Sequence, residues 1–113
     1  MTKGKVVLIP FPFDDLSTTK VRPAVCLTNS IGKYNHIILA LITSQIPMDL
    51  LETDIVLDSS HPDFAASGLH KPSTIRLDHL MTVRKSLVRR ELGALSSATQ
   101  DQITEKLCNL LSD

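Results

Sequence analysis

The sequence predicts a mainly β fold, a small β-barrel or curled sheet with one amphipathic helix laid against it. Three observations carry this. Short apolar runs rich in β-branched residues recur along the chain, separated by polar turns: KVVLIP from Lys5, VRPAVCL from Val21, HIILALITS from His36, IVL from Ile55 and TIRL from Thr74. The last segment alone has clear helical spacing, with Ile103, Leu107, Leu110 and Leu111 at i, i+4, i+7 and i+8. A length of 113 residues suits one core, so a single domain over 1–113 is expected.

Each element has a local reason. Val6, Val7, Leu8 and Ile9 fit a buried strand over about residues 5–10. Pro10 and Pro12 interrupt ladder hydrogen bonding and leave Phe11 and Phe13 at the strand exit. Residues 14–20 (DDLSTTK) are polar, with short side chains suited to turns. A second strand is expected over about 22–28, with Pro23 forcing Arg22 into an extended conformation at its mouth. Residues 29–35 read as a turn-rich connection. HIILALITS (36–44) is too short and too apolar for its period to decide between strand and helix. Its isoleucines and flanking turns favour a buried strand, ended by Pro47. Residues 58–72 read as loop with one helical turn near 62–66, and Thr74 to Leu77 alternates as a strand. Residues 80–87 are mixed, and Glu91-Leu92-Gly93 closes that stretch. Ser97 and Gln100 match a capping box that opens a helix over about 97–111.

Composition narrows the function classes. With 42% hydrophobic and 21% charged residues the chain is an ordinary globular protein. Its formal net charge is zero, so any nucleic-acid role needs a local patch rather than a global field. Cations do cluster late, at Arg84, Lys85, Arg89 and Arg90, while Asp49, Glu52, Asp54 and Asp58 cluster in the middle. Cys26 and Cys108 each sit in an apolar run and read as small buried hydrophobes rather than a disulfide. No apolar run reaches the length of a membrane span and no signal peptide is evident, so a cytoplasmic protein is expected. The four glycines are isolated and form no phosphate-binding loop. No paired CxxC or HxxxH spacing suggests a metal site, and no cofactor is expected.

Two residues stand out chemically. Arg22 is a rigid fork of donors suited to phosphate oxygens, or else an ion-pair partner for Asp14, Asp15 or Glu52 at a strand edge. Thr43 ends an apolar strand, where its hydroxyl serves either a ligand or the backbone. The Ser17-Thr18-Thr19 loop offers hydroxyls and N–H groups to phosphates, or is a plain turn. His79 can stack on a base or exchange a proton near neutrality, while His36, His61 and His70 read as surface or loop residues.

These residues also carry a resemblance. The pattern GxVxxxPFPFxDLSxxKxRPAxxL from Gly4 is followed in order by Ile42-Thr43-Ser44-Gln45, by Thr74-Ile75-Arg76-Leu77-Asp78-His79-Leu80 and by Leu92-Gly93-Ala94-Leu95-Ser96. No single motif is specific, but their order and spacing over nearly the whole chain resemble the MazF/PemK family of toxin endoribonucleases. The resemblance implies an SH3-like barrel, usually a two-fold homodimer. It also implies metal-independent cleavage of single-stranded RNA by attack of a 2′-hydroxyl, and inhibition by a cognate antitoxin protein. It matches Arg22 to the family's active-site arginine and Thr43 to its active-site threonine. It implies RNA contacts at Ser17, Thr18, Thr19, Ser44, Gln45 and His79, with Arg76 and Arg84 as weaker backbone contacts. Three departures bear on RNA sequence preference and activity. Lys3-Gly4-Lys5 replaces an Arg-Gly-Asp start, residues 16–20 replace a Gly-Ser-Glu-Gln-type loop, and His79 stands where glutamine is common. The rival reading is a non-catalytic SH3-like dimeric module that binds peptide or nucleic acid without cutting.

Overall fold

The computed structural model describes residues 2–11 and 20–112. The loop residues Asp14, Asp15, Ser17, Thr18 and Thr19 lie outside the described residues. Six strands, β1 (Lys5–Phe11), β2 (Lys20–Cys26), β3 (His36–Thr43), β4 (Asp54–Leu57), β5 (Ser73–Arg84) and β6 (Arg90–Ala94), form one antiparallel sheet. Its order is β4-β5-β3-β2-β1-β6. The edges β4 and β6 do not pair, so the barrel expectation resolves as a curled half-barrel. A short helix α1 (Phe64–Ser67) precedes β5, a 3₁₀ turn spans Lys85–Leu87, and α2 (Ser97–Ser112) closes the chain.

Alternation along the strands builds two apolar faces. Val6, Val25, Ala40, Ile42, Ile55, Leu57, Ile75 and Leu77 point one way and pack with Leu95 and with Ile103 of α2. Val7, Ile9, Ala24, Cys26, Ile37, Leu39 and Val83 pack on the far face. Two irregularities curl the sheet. Between β1 and β6 the register jumps at Val6/Val7, where Leu92 is the extra residue. Between β3 and β5, Ala40 pairs with Leu80 while Leu41 pairs with Arg76. Leu77, Asp78 and His79 are therefore left over in a bulge.

Several expectations are corrected. The second strand begins at Lys20 and ends at Cys26, two residues earlier than expected, because Leu27 already leaves β1. Residues 74–77 and much of the mixed 80–87 stretch are one twelve-residue strand, bent by the bulge. Residues 91–93 belong to a sixth strand. Gly93 is required there, since a Cβ would lie 2.0 Å from the Ala66 carbonyl oxygen of α1. The helix cap is Ser96, not Ser97. The Ser96 hydroxyl accepts from the Thr99 N–H at 3.3 Å, and Asp63 accepts from both the Ser96 N–H (2.9 Å) and its hydroxyl (2.8 Å). Burial alone would raise the Asp63 pKa, but hydrogen bonds from Thr99 and Ser96 outweigh it and hold the carboxyl below its usual range. The Gln100 side chain donates to the Leu95 carbonyl at 3.0 Å instead of closing a box.

The α2 stripe buries only its first half: Ile103 is buried, Leu107 half-buried, and Leu110 and Leu111 are exposed. Cys26 is buried as expected, whereas Cys108 lies exposed on α2. No described helix is long and apolar enough to cross a membrane.

Candidate active site

Pro23 creates the feature on which the site rests. Leu27 turns its N–H toward β3, donating to the Ile38 carbonyl, while the Cys26 carbonyl turns toward the β1 side and accepts from Gly4. By alternation Val25 and Pro23 also face β3, so proline stands where the next N–H would be donated. The β2–β3 pairing accordingly stops at Ala24↔Leu41. Two register steps beyond that last pair, Arg22 and Thr43 would be opposite each other. They sit on the two lips of the split, each still held by its other neighbour: Arg22 pairs with Ile9 of β1, and Thr43 with Thr74 of β5.

Parity puts both side chains on the far face of the sheet. Arg22 follows Ala24, and Thr43 follows Leu41, which packs on the far-face cluster. Both residues are half-buried. Thr43 does not point into the α2 core, where its neighbour Ile42 lies. Its hydroxyl oxygen accepts from the Gln45 N–H at 3.3 Å, which leaves the hydroxyl proton to be donated. Ser44 and Gln45 follow β3 and are exposed.

A second row lies beside the first. Leu41 pairs with Arg76, and Arg76 with Asp54. Arg76 Nε lies 2.9 Å from Asp54 Oδ1 and 3.7 Å from Asp78 Oδ1. The first approach is a charge contact rather than an aligned hydrogen bond, since neither atom has a hydrogen-bond partner among the described residues. Asp54 Oδ2 accepts from the Leu51 N–H at 2.9 Å. Asp78 Oδ2 lies 3.7 Å from His79 Nε2, and the His79 side chain is 53% exposed on the bulge. Arg76 is thus held between two carboxylates, and the bulge presents His79 next to it.

The structure brings Arg22, Thr43, Arg76 and His79 to one region, with Ser44 and Gln45 at its rim. Arg84 is not part of it. It pairs with His36 at the opposite end of β3, about 23 Å from Thr43 at the rise of an extended strand.

Sequence reasoning did not single out Thr74, Asp54 or Asp78 as site residues. Thr74 is fully buried, and its hydroxyl has no hydrogen-bond partner among the described residues. The alternation Thr74-Ile75-Arg76-Leu77 was the available signal, because it puts Thr74 and Arg76 on one face. Two clefts of about 610 and 340 Å³ lie elsewhere and include neither Arg22 nor Thr43. Among the described residues no group of three or more His, Cys, Asp or Glu side chains could hold a metal ion.

Comparison with known proteins places the chain in a family. Residues 2–111 match the profile of the "PemK-like, MazF-like toxin of type II toxin-antitoxin system". The chain belongs to this family. Solved structures agree on the fold. The Mycobacterium tuberculosis toxin MazF-mt6 superposes with a TM-score of 0.71 at 21% identity, covering 96% of each chain. An endoribonuclease in complex with its cognate antitoxin, from a mycobacterial species, gives 0.72 at 16% identity, covering 99% of this chain and 95% of that one. MazF from Deinococcus radiodurans gives 0.67 at 16% identity, covering 100% and 97%. No curated protein matches significantly. In this chain Arg22 and Thr43 stand on either side of the point where the β2–β3 pairing stops.

Proposed function

We propose that this PemK/MazF-family toxin is an endoribonuclease that cuts single-stranded RNA, mRNA in the cell, at a short sequence. The observation that carries this reading is that Arg22 and Thr43 stand on adjacent strands just beyond the end of the β2–β3 pairing, both on the face away from α2 by strand parity. The 2′-hydroxyl oxygen attacks the adjacent phosphorus while its proton leaves to a base. The P–O5′ bond then breaks and the leaving oxygen takes up a proton. The products are a 2′,3′-cyclic phosphate and a 5′-hydroxyl. Negative charge peaks on the non-bridging oxygens of the phosphorane, where a fixed guanidinium at Arg22 lowers the barrier more than it aids ground-state binding. Thr43 donates its hydroxyl proton to one of those oxygens, its own acceptor position being occupied by the Gln45 N–H. His79 stacks on a neighbouring base, oriented by Asp78. Arg76, already balanced by Asp54 and Asp78, frames the site more than it contacts phosphate. The residue 14–20 loop, with Ser17, Thr18 and Thr19, supplies hydroxyl and N–H donors that help hold the RNA.

The partners follow from the same site. The chain acts as a homodimer in the cytoplasm, and an acidic or apolar segment of a cognate antitoxin covers the Arg22 and Thr43 site and competes with RNA.

The test is cleavage of a long single-stranded RNA in EDTA by the wild type and by Arg22→Ala. Cutting that survives EDTA, yields cyclic phosphate ends and is lost in Arg22→Ala supports the reading. Folded wild-type protein that binds RNA without cutting it supports the non-catalytic module instead.

A further inference from the structure

We propose a second binding site for single-stranded RNA at the far end of β3, built on Tyr34 and used to hold the strand away from the scissile bond. It rests on the RNA reading above but not on the Arg22 site. The turn before β3 contains Gly32 (φ +73°) and Asn35 (φ 54°), both in the left-handed region, and this tight reversal lifts Lys33 and Tyr34 outward. Tyr34 is 56% exposed, an unusual position for one of only four aromatic residues in the chain. Arg84 lies over its ring, with the guanidinium carbon 4.9 Å from the centroid, and Lys33 Nζ is 5.8 Å from it. The His36 ring meets Tyr34 edge-on at 6.3 Å and 74°. The Lys85 N–H donates to the Asn35 carbonyl at 2.9 Å, which fixes that lysine beside the turn.

The charge of this cluster is the decisive feature. Lys33, Arg84 and Lys85 are exposed, and none forms an ion pair among the described residues. In a chain of zero net charge, three unbalanced cations around an exposed aromatic ring are a local departure, not the general field. Lys85 also borders the cleft of about 340 Å³, together with Thr2, Val88 and the Lys5–Glu91 ion pair. With Arg84 lying over one face of the Tyr34 ring, a base stacks on the outer side of this ring–guanidinium pair, and flanking cations take the phosphates on either side. A duplex offers no free base to Tyr34, so the site selects a single strand. Because it lies about 23 Å from Thr43 along β3, it serves affinity for long strands and not the chemical step.

The experiment measures binding of a fluorescent single-stranded RNA to the full chain, for the wild type, Tyr34→Leu, Tyr34→Phe, Arg84→Gln and Arg22→Ala. Inorganic polyphosphate serves as a baseless competitor. Tyr34→Leu is expected to weaken binding about tenfold and Tyr34→Phe to preserve it, since stacking needs the ring and not the hydroxyl. Arg84→Gln is expected to reduce the slope of log affinity against log salt by about 0.7, the loss of one phosphate contact. Cleavage of a short RNA that spans only the scissile site is expected to stay unchanged in Tyr34→Leu. Equal binding by Tyr34→Leu and the wild type, or equal competition by polyphosphate and RNA, overturns the proposal and leaves the nuclease reading intact. Tyr34-dependent binding by a wild type that never cuts RNA supports the site and overturns the nuclease reading. Failure of the wild type to bind single-stranded RNA overturns both.

Discussion

Neighbouring residues on β5, Ile75 and Thr74, show how differently the two faces of the sheet are used. Ile75 points toward α2 and is buried among Ile42, Ile55, Leu77 and Ile103. Thr74 points the other way, is equally buried, and has a hydroxyl with no described partner. β3 repeats the pattern: Ile42 packs under the helix, and Thr43 stands at the split. One step of strand parity separates the residues that hold the fold from those assigned to chemistry. On the far face the buried Thr74 hydroxyl lies opposite Thr43, beyond the point where the pairing of β2 with β3 stops.

This contrast is sharpened by mutating across the parity boundary. The largest effect on stability is expected from Ile75→Ala, which opens a cavity under α2 and costs about 2–5 kcal/mol, read as a loss of denaturation midpoint with the slope unchanged. Its neighbour Thr74→Val is expected to leave stability within about 1 kcal/mol of the wild type, because it removes a buried hydroxyl with no hydrogen-bond partner among the described residues, yet to reduce RNA cleavage by disturbing the lip that holds Thr43. If both changes acted only on stability, the division between the faces would fail.

Asp63 gives an intermediate effect. It joins the loop before α1 to the start of α2 by accepting two hydrogen bonds from Ser96. Asp63→Ala is expected to cost about 1–3 kcal/mol, measured by denaturant titration. The carboxyl is held below its ordinary range in the folded state, so its contribution is present above the ordinary carboxylate pKa, about 4, and is lost as pH falls through the depressed folded value. Melting temperature should therefore fall less steeply below about pH 4 in Asp63→Asn than in the wild type. An identical acid limb in both would place the acid sensitivity elsewhere.

The smallest effect concerns the cysteines. Burial pushes the Cys26 thiol up to about 11, with Glu91 adding to the shift and Lys5 opposing it. Cys108 is exposed on α2. In the folded protein a thiol reagent at neutral pH is expected to modify Cys108 rapidly and Cys26 only on denaturation, with no loss of fold after the first modification. Two equally fast thiols would contradict the burial of the far-face cluster.

Much of this architecture was legible in the sequence. The runs at Val6 and His36 announce buried strands, and the Ile103–Leu107 spacing announces the helix. β5 was read too short because Asp78 and His79 on the bulge and Leu80 just after it are all exposed and break the alternation that identifies a strand. β6 was missed because an edge strand needs few apolar side chains, and Leu92 alone marks it. The cap slipped by one residue because Ser96 and Ser97 are locally equivalent, and the choice between them is made by Asp63, 33 positions away. At the site, Arg22 and Thr43 were visible through the order of their motifs. Asp54, Thr74 and the exclusion of Arg84 depend on cross-strand register, which no local pattern encodes.

The central claim is that Arg22 and Thr43 act together on one phosphate at the β2–β3 split. Single-turnover cleavage by the wild type, Arg22→Ala, Thr43→Val and the double variant, each with its melting temperature, tests it most directly. The account predicts folded variants, a loss of about 10²–10³-fold for Arg22→Ala, a smaller loss for Thr43→Val, and a double variant hardly worse than Arg22→Ala alone. Losses that multiply in the double variant, or wild-type rates in either single one, would contradict it.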